Sequence, residues 1–161
     1  MLHFMCLEAC WVWWEMSMAS IPHMTRRQAL AATACLFGLF DAQHRAQAQT
    51  EMFVAEAARQ RDAALAIGDQ PYGAVLVLDG RIIGTGRSSV ISDNNPDAHA
   101  ERVALWDAQR QIGREDLTGA VIFATSRPCA ICQRALAKAR VSSMRVGPEG
   151  SEYGPPRGAV R

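Results

Sequence analysis

The sequence predicts an α/β domain with a mixed sheet and helices on its faces. Three observations predict it. Short apolar runs at Tyr72–Leu78, Ala120–Thr125 and Val141–Val146 have strand length, and helical patterns are interleaved with them. Asp79-Gly80 sits between two strand-like runs and so marks an antiparallel hairpin, whereas the later strand-helix-strand order calls for parallel neighbours joined by crossovers. A length of 161 residues gives one core of useful size and too little chain for two.

Taken in order, Thr50 is expected to cap a helix from Glu51 to Ile67, with Met52, Ala55, Ala58 and Leu65 on its apolar side and Gly68 as its stop. Tyr72–Leu78 and Arg81–Gly86 then form the hairpin. Ser88–Ala98 is polar and contains Pro96, which reads as a loop. His99–Gln111 follows as a helix whose apolar contacts come from Val103, Leu105 and Trp106, and Gly113 ends it. Ala120–Thr125 is a buried strand, Ser126-Arg127-Pro128 opens a helix over Cys129–Ala139, and Val141–Val146 is a further strand. The Gly- and Pro-rich tail from Gly147 reads as irregular, and Trp106 and Phe123 read as core side chains.

The first 48 residues have a different character. Met24-Thr25-Arg26-Arg27, a 12-residue apolar run from Ala29 to Phe40 and Ala46-Gln47-Ala48 form the three parts of a signal peptide, with an Arg pair of twin-arginine type. The run is shorter than the ~20 apolar residues a membrane span needs. Met1–His23 shows no clean period and reads as an over-extended start. The expected division is therefore 1–48 for start and signal and 49–161 for the domain, in a periplasmic or otherwise exported location, or a cytoplasmic one without the signal.

Charge narrows the function classes. The whole chain has 17 Lys+Arg against 16 Asp+Glu, a net charge of +1. No basic stripe suited to a nucleic-acid backbone is present, so nucleic acid is not the expected partner. After residue 49, His99, Cys129 and Cys132 are the last histidine and cysteines in the chain. His99 and Cys129 each open a predicted helix, and in crossover units such helix N-termini gather along one edge of the sheet, where ligand sites form. One imidazole and two thiolates leave a tetrahedral Zn²⁺ one open position for water. Cys129 and Cys132, at i and i+3, share a helix face, and a helix N-terminus favours the thiolate. Glu101 stands two residues after His99, where it can move a proton between that water and a substrate nitrogen.

His99-Ala100-Glu101 followed by Pro128-Cys129-Ala130-Ile131-Cys132 resembles the signature of the cytidine and deoxycytidylate deaminase superfamily, most closely its guanine, cytosine and tRNA adenosine deaminase branch. Pro71-Tyr72-Gly73-Ala74-Val75-Leu76-Val77 and Asn95-Pro96-Asp97-Ala98 extend the resemblance, which runs from about Met52 to Val146. It implies a cytidine deaminase-like three-layer α/β/α sandwich with a mixed central sheet. It implies His99, Cys129 and Cys132 as Zn²⁺ ligands, Glu101 as the catalytic proton shuttle, and Ser88 and Ala100 as substrate contacts. Ser88 stands where the family usually has a base-contacting Asn, and Arg127 where a Glu commonly precedes Pro-Cys. The activity implied is zinc-dependent hydrolytic deamination of a free nucleobase or nucleoside, most simply by a homodimer. Two alternatives stay open: a tRNA-specific adenosine deaminase, and a catalytically degenerate zinc-binding member. Cys129-x-x-Cys132 could also be a redox pair, but that would leave His99 and Glu101 without a role.

Overall fold

The computed structural model describes residues 26 to 158, with side chains from residue 42 onward. The chain divides into two units, Met1–His44 and Arg45–Arg161. Met24, Thr25 and the segment before them lie outside the described residues. Helix α1 spans Arg26–Ala66, so Thr50 does not begin a helix. Its hydroxyl instead donates to the Ala46 carbonyl at 3.1 Å, the back-bond a hydroxyl makes within a continuing helix. Ala46-Gln47-Ala48 likewise lies inside α1. Among the described residues no helix is long and apolar enough to cross a membrane. The end is as expected: Gly68 takes a φ of 77°, and the Asp69 N–H returns to the Ala64 carbonyl.

The second unit contains a five-stranded mixed sheet ordered β2-β1-β3-β4-β5. Strands β1 (Gly73–Leu78) and β2 (Arg81–Arg87) form the Asp79-Gly80 hairpin, and both turn residues have positive φ. Strand β3 (Val121–Ala124) lies antiparallel to β1 and parallel to β4 (Ser143–Val146), and helix α3 (Ala130–Lys138) falls between those two in sequence. The tail is a strand after all: β5 (Ser151–Gly154) pairs antiparallel with β4. Gly147 and Gly150, both at positive φ, make its turn, and Glu152 ties it back by accepting from the Ser143 hydroxyl and pairing with Arg145. Each edge strand carries a bulge, at Ile83 in β2 and at Tyr153 in β5.

Alternation along the strands sends side chains to two separate cores, as a three-layer sandwich requires. On one face Phe53 and Ala57 of α1 meet Val75, Val77 and Phe123. On the other, helix α2 (Ala100–Ile112) and α3 cover Leu76, Ile122, Ala124 and Met144. Helix α2 lies unusually close to β2. A methyl group on Gly86 would stand 2.1 Å from the Ala100 carbonyl oxygen, and one on Gly84 would stand 2.4 Å from that of Ala104. Only glycines admit the helix backbone at that depth. The helix meets the strand with Ala100, Ala104, Leu105 and Ala108, so Trp106 is not core: it is 38% exposed, with the Arg102 guanidinium over its ring. Phe123 is buried, as expected.

Candidate metal and active site

The close seat of α2 on β2 fixes where its first turn lies. His99 is the N-cap residue in extended conformation, and its side chain makes no capping bond, which leaves the imidazole free to serve as a ligand. Cys129 is the N-cap of α3, and its sulfur accepts from the Cys132 N–H at 3.3 Å. The helix thus turns one of its free first-turn N–H groups onto the sulfur of its own N-cap residue. Both predicted helix starts therefore fall one residue before the helices themselves, on two of the residues expected as metal ligands.

The two N-termini converge. His99 Nδ1 lies 3.6 Å from Cys129 Sγ and 3.5 Å from Cys132 Sγ, and the two sulfurs are 3.1 Å apart. Zinc bonds of ~2.3 Å to sulfur and ~2.0 Å to nitrogen at tetrahedral angles require N···S edges of about 3.6 Å and an S···S edge of about 3.8 Å. Both nitrogen–sulfur edges fit, and modest rotation of the thiols supplies the third. The cysteines are free, and their separation is far longer than the ~2.05 Å of a disulfide. Among the described residues, His99, Cys129 and Cys132 form the group of side chains that could hold a metal ion. Three ligands leave one tetrahedral position open.

Glu101 lies in the first turn of α2 and is 5% exposed. Burial pushes its carboxyl above the ordinary range, against the pull of its own backbone N–H, the Cys132 thiol and His99. Burial also pushes the Cys132 thiol up, and the neighbouring Glu101 carboxylate adds to the effect; a bound cation reverses this and deprotonates a coordinating thiol outright. Pro96, Asp97, Arg102 and Ile131 frame a shallow cleft over His99, Cys129 and Cys132, with a volume of about 10 Å³, room for one water-sized group. A larger cavity of about 350 Å³ lies between α1 and the opposite face of the sheet, lined by Val54, Ala57, Phe123 and Arg145 among others, with none of the predicted site residues in its wall.

The structure does not bring all the predicted residues together in the same way. Ala100 is buried directly behind His99, its carbonyl against Gly86. Ser88 is fully buried, and its hydroxyl donates to Asp69 at 2.9 Å. Arg127 is exposed and stacks on Tyr153. Two residues escaped the sequence reading. Asp69, immediately after the helix-stopping Gly68, collects hydrogen bonds from the Ser88–Ala98 loop. Arg102 pairs with Asp97 across the cleft, and its Nε is buried without a hydrogen-bond partner.

A three-layer α/β/α sandwich with a His/Cys/Cys cluster at two helix N-termini defines a metal-binding domain. The chain belongs to the cytidine and deoxycytidylate deaminase family, whose zinc-binding region matches residues 46–147. It is 41% identical over 80 residues to the tRNA-specific adenosine deaminase of Buchnera aphidicola, covering 50% of this chain and 53% of that protein. Among solved structures it is similar to a tRNA:A34 deaminase at 34% identity and a TM-score of 0.58, covering 62% of this chain and 75% of the other. It is also similar to guanine deaminase from Bacillus subtilis at 32% identity and a TM-score of 0.58, covering 60% and 62%. The chain spans about half to two thirds of the length of the curated relatives it matches.

Proposed function

We propose that this domain hydrolyses the exocyclic amine of a nucleobase to a carbonyl and releases ammonia, with adenosine within an RNA as the substrate the named relatives support best. The observation that carries the proposal is a buried carboxylate, Glu101, beside a His99–Cys129–Cys132 cluster whose nitrogen–sulfur distances suit a tetrahedral metal ion. His99, Cys129 and Cys132 would hold a zinc ion, which would lower the pKa of a water at its open position from about 15.7 towards 7. Glu101 would carry two protons in turn, both from that water: the first to the ring nitrogen as the oxygen bonds to the carbon bearing the amine, the second from the added oxygen to the amine as the carbon–nitrogen bond breaks, so that ammonia leaves and a carbonyl remains. Ala100 offers its backbone N–H, the free donor of a helix's first turn, to the substrate. Ser88 we assign to the framework of the loop, because its hydroxyl is already engaged by Asp69.

The ranking of substrates drawn from charge and the export pattern alone is thereby reversed, since the relatives named for tRNA outweigh the absence of a basic stripe. A free-base reading of guanine type keeps one specific support, the guanine deaminase structure that matches equally well in fold. Ammonia release from an adenosine-containing tRNA anticodon stem-loop, measured beside guanine, cytosine, adenine and their nucleosides, separates the two. Inosine formed in the stem-loop and no turnover of free bases supports the RNA reading, and the reverse pattern overturns it. The boundary at 48/49 is proposed on Thr25-Arg26-Arg27 and Ala46-Gln47-Ala48, and export of the domain goes with the free-base reading, because tRNA is a cytosolic substrate. N-terminal sequencing of the purified protein should begin near Gln49, and an intact Met24 would reject it. A homodimer is proposed on the exposed apolar residues Ile91, Trp106 and Ile131, with light scattering as its check.

A further inference from the structure

Asp69 lies in the turn between α1 and β1, yet its carboxylate works on a different part of the chain. Oδ1 accepts from the Ser88 hydroxyl at 2.9 Å, and Oδ2 accepts from the backbone N–H groups of Ile91 and Ser92 at 3.0 and 2.9 Å. The residue is 5% exposed. The loop it grips leads directly into the metal cluster. Ser89 N–H donates to the Ala98 carbonyl, Asn95 N–H to that of Val90, and Ala98 N–H to that of Asn95, so the loop is closed on itself up to the residue before His99. The next residue is the ligand imidazole, which has no capping bond of its own to hold it.

We infer that Asp69 is a positioning residue for the metal site: by pinning the start of the Ser88–Ala98 loop it fixes the end of that loop, and with it the His99 imidazole opposite Cys129 and Cys132. This rests on the proposed reading of His99 as a zinc ligand. A backbone N–H bonded to a buried carboxylate is held more strongly than one bonded to a neutral acceptor, and two adjacent N–H groups on one oxygen also fix the direction of the turn. An asparagine at the same place keeps the size but loses the charge, and its amide nitrogen cannot accept a bond. Loosening the loop should then raise the freedom of His99 without touching any ligand. By thermodynamic reciprocity, if the anchored loop favours bound metal, bound metal must favour the anchored loop.

Two measurements on the whole chain test this, and neither depends on turnover. In the first, zinc release to a chelator and the ligand-field spectrum of the cobalt(II)-substituted protein are compared for wild type, Asp69→Asn and Asp116→Asn, the last removing a remote carboxylate that bonds Thr118 and Arg140. Asp69→Asn should release zinc about tenfold faster or more and alter the cobalt spectrum, while Asp116→Asn leaves both at wild-type values. An Asp69→Asn protein with wild-type release and an unchanged spectrum, even if less stable, overturns the inference. In the second, which serves if Asp69→Asn does not fold, amide hydrogen exchange at Ile91 and Ser92 is followed in the wild type with and without zinc. Slower exchange in the zinc-loaded form supports the coupling, and equal exchange overturns it. A wild-type chain that binds no zinc would instead remove the reading of His99, Cys129 and Cys132 as ligands, a separate failure.

Discussion

At Glu101 the metal role and the proton-transfer role can be separated, because the carboxylate lies beside the cluster without belonging to it. Glu101→Gln keeps the volume and the neighbours, so bound zinc and thermal stability should stay near wild type. Turnover should fall by about 10²- to 10⁴-fold, the contribution of a positioned acid and base. Cys132→Ala, at a fully buried position in the core face of α3, should lose the metal and destabilise the fold together. Metal analysis and ammonia release on the same preparations check both, and wild-type turnover by Glu101→Gln would remove its assigned role even with zinc in place. The placement of the expected metal ligands was the most legible part of the sequence, because His99, Cys129 and Cys132 stand at helix starts that the fold brings together. Asp69 was not legible, since a lone Asp after a helix stop looks like any turn residue until its partners, 19 to 23 residues away, are seen.

Elements were legible where local chemistry decides them and illegible where tertiary pairing does. The starts of α2 and α3 could be read because a loop residue and a proline precede them, and the Asp79-Gly80 turn because few dipeptides favour positive φ at both positions. Strand β5 could not, because its four residues show no alternation and are held by β4 and by Glu152, not by their own propensity. Thr50 misled because a hydroxyl suits a cap and a back-bond equally well in sequence. Gly86 carries the element-scale prediction. Gly86→Ala would set a methyl against the α2 backbone, which cannot yield as a flexible side chain can. It should cost about 1–3 kcal/mol or more in urea unfolding. It should also weaken zinc binding, because the helix that must retreat is the one that begins at His99. Gly113→Ala, at the far end of α2 with open space around its Cβ position, should affect stability through its positive φ alone and leave metal binding intact.

For the molecule as a whole, acid should act partly through two aspartates. Burial alone would raise the carboxyl of Asp69, but hydrogen bonds from the backbone of Ser92 and Gln70 and from the hydroxyls of Ser88 and Ser92 outweigh it and hold it well below the usual range. Asp116 is also lowered, chiefly by the Thr118 hydroxyl and N–H. A carboxyl whose folded pKa lies below its unfolded value gives stability that is present above the unfolded value and is lost as pH falls towards the folded one. Stability should therefore decline as pH drops below about 4, and Asp69→Asn should make that decline shallower in urea titrations at stepped pH. An unchanged slope in the variant would mean that the carboxylate is not depressed. The bulges at Ile83 and Tyr153 bear on how whole molecules meet one another. Both open borders of the sheet, β2 and β5, are interrupted by an extra residue, so neither offers a straight row of unpaired backbone groups in register for a foreign strand. Growth by strand addition is discouraged at both ends. Copies of this chain that associate are thereby steered towards other surfaces, and a self-complementary contact there would close as a pair instead of propagating.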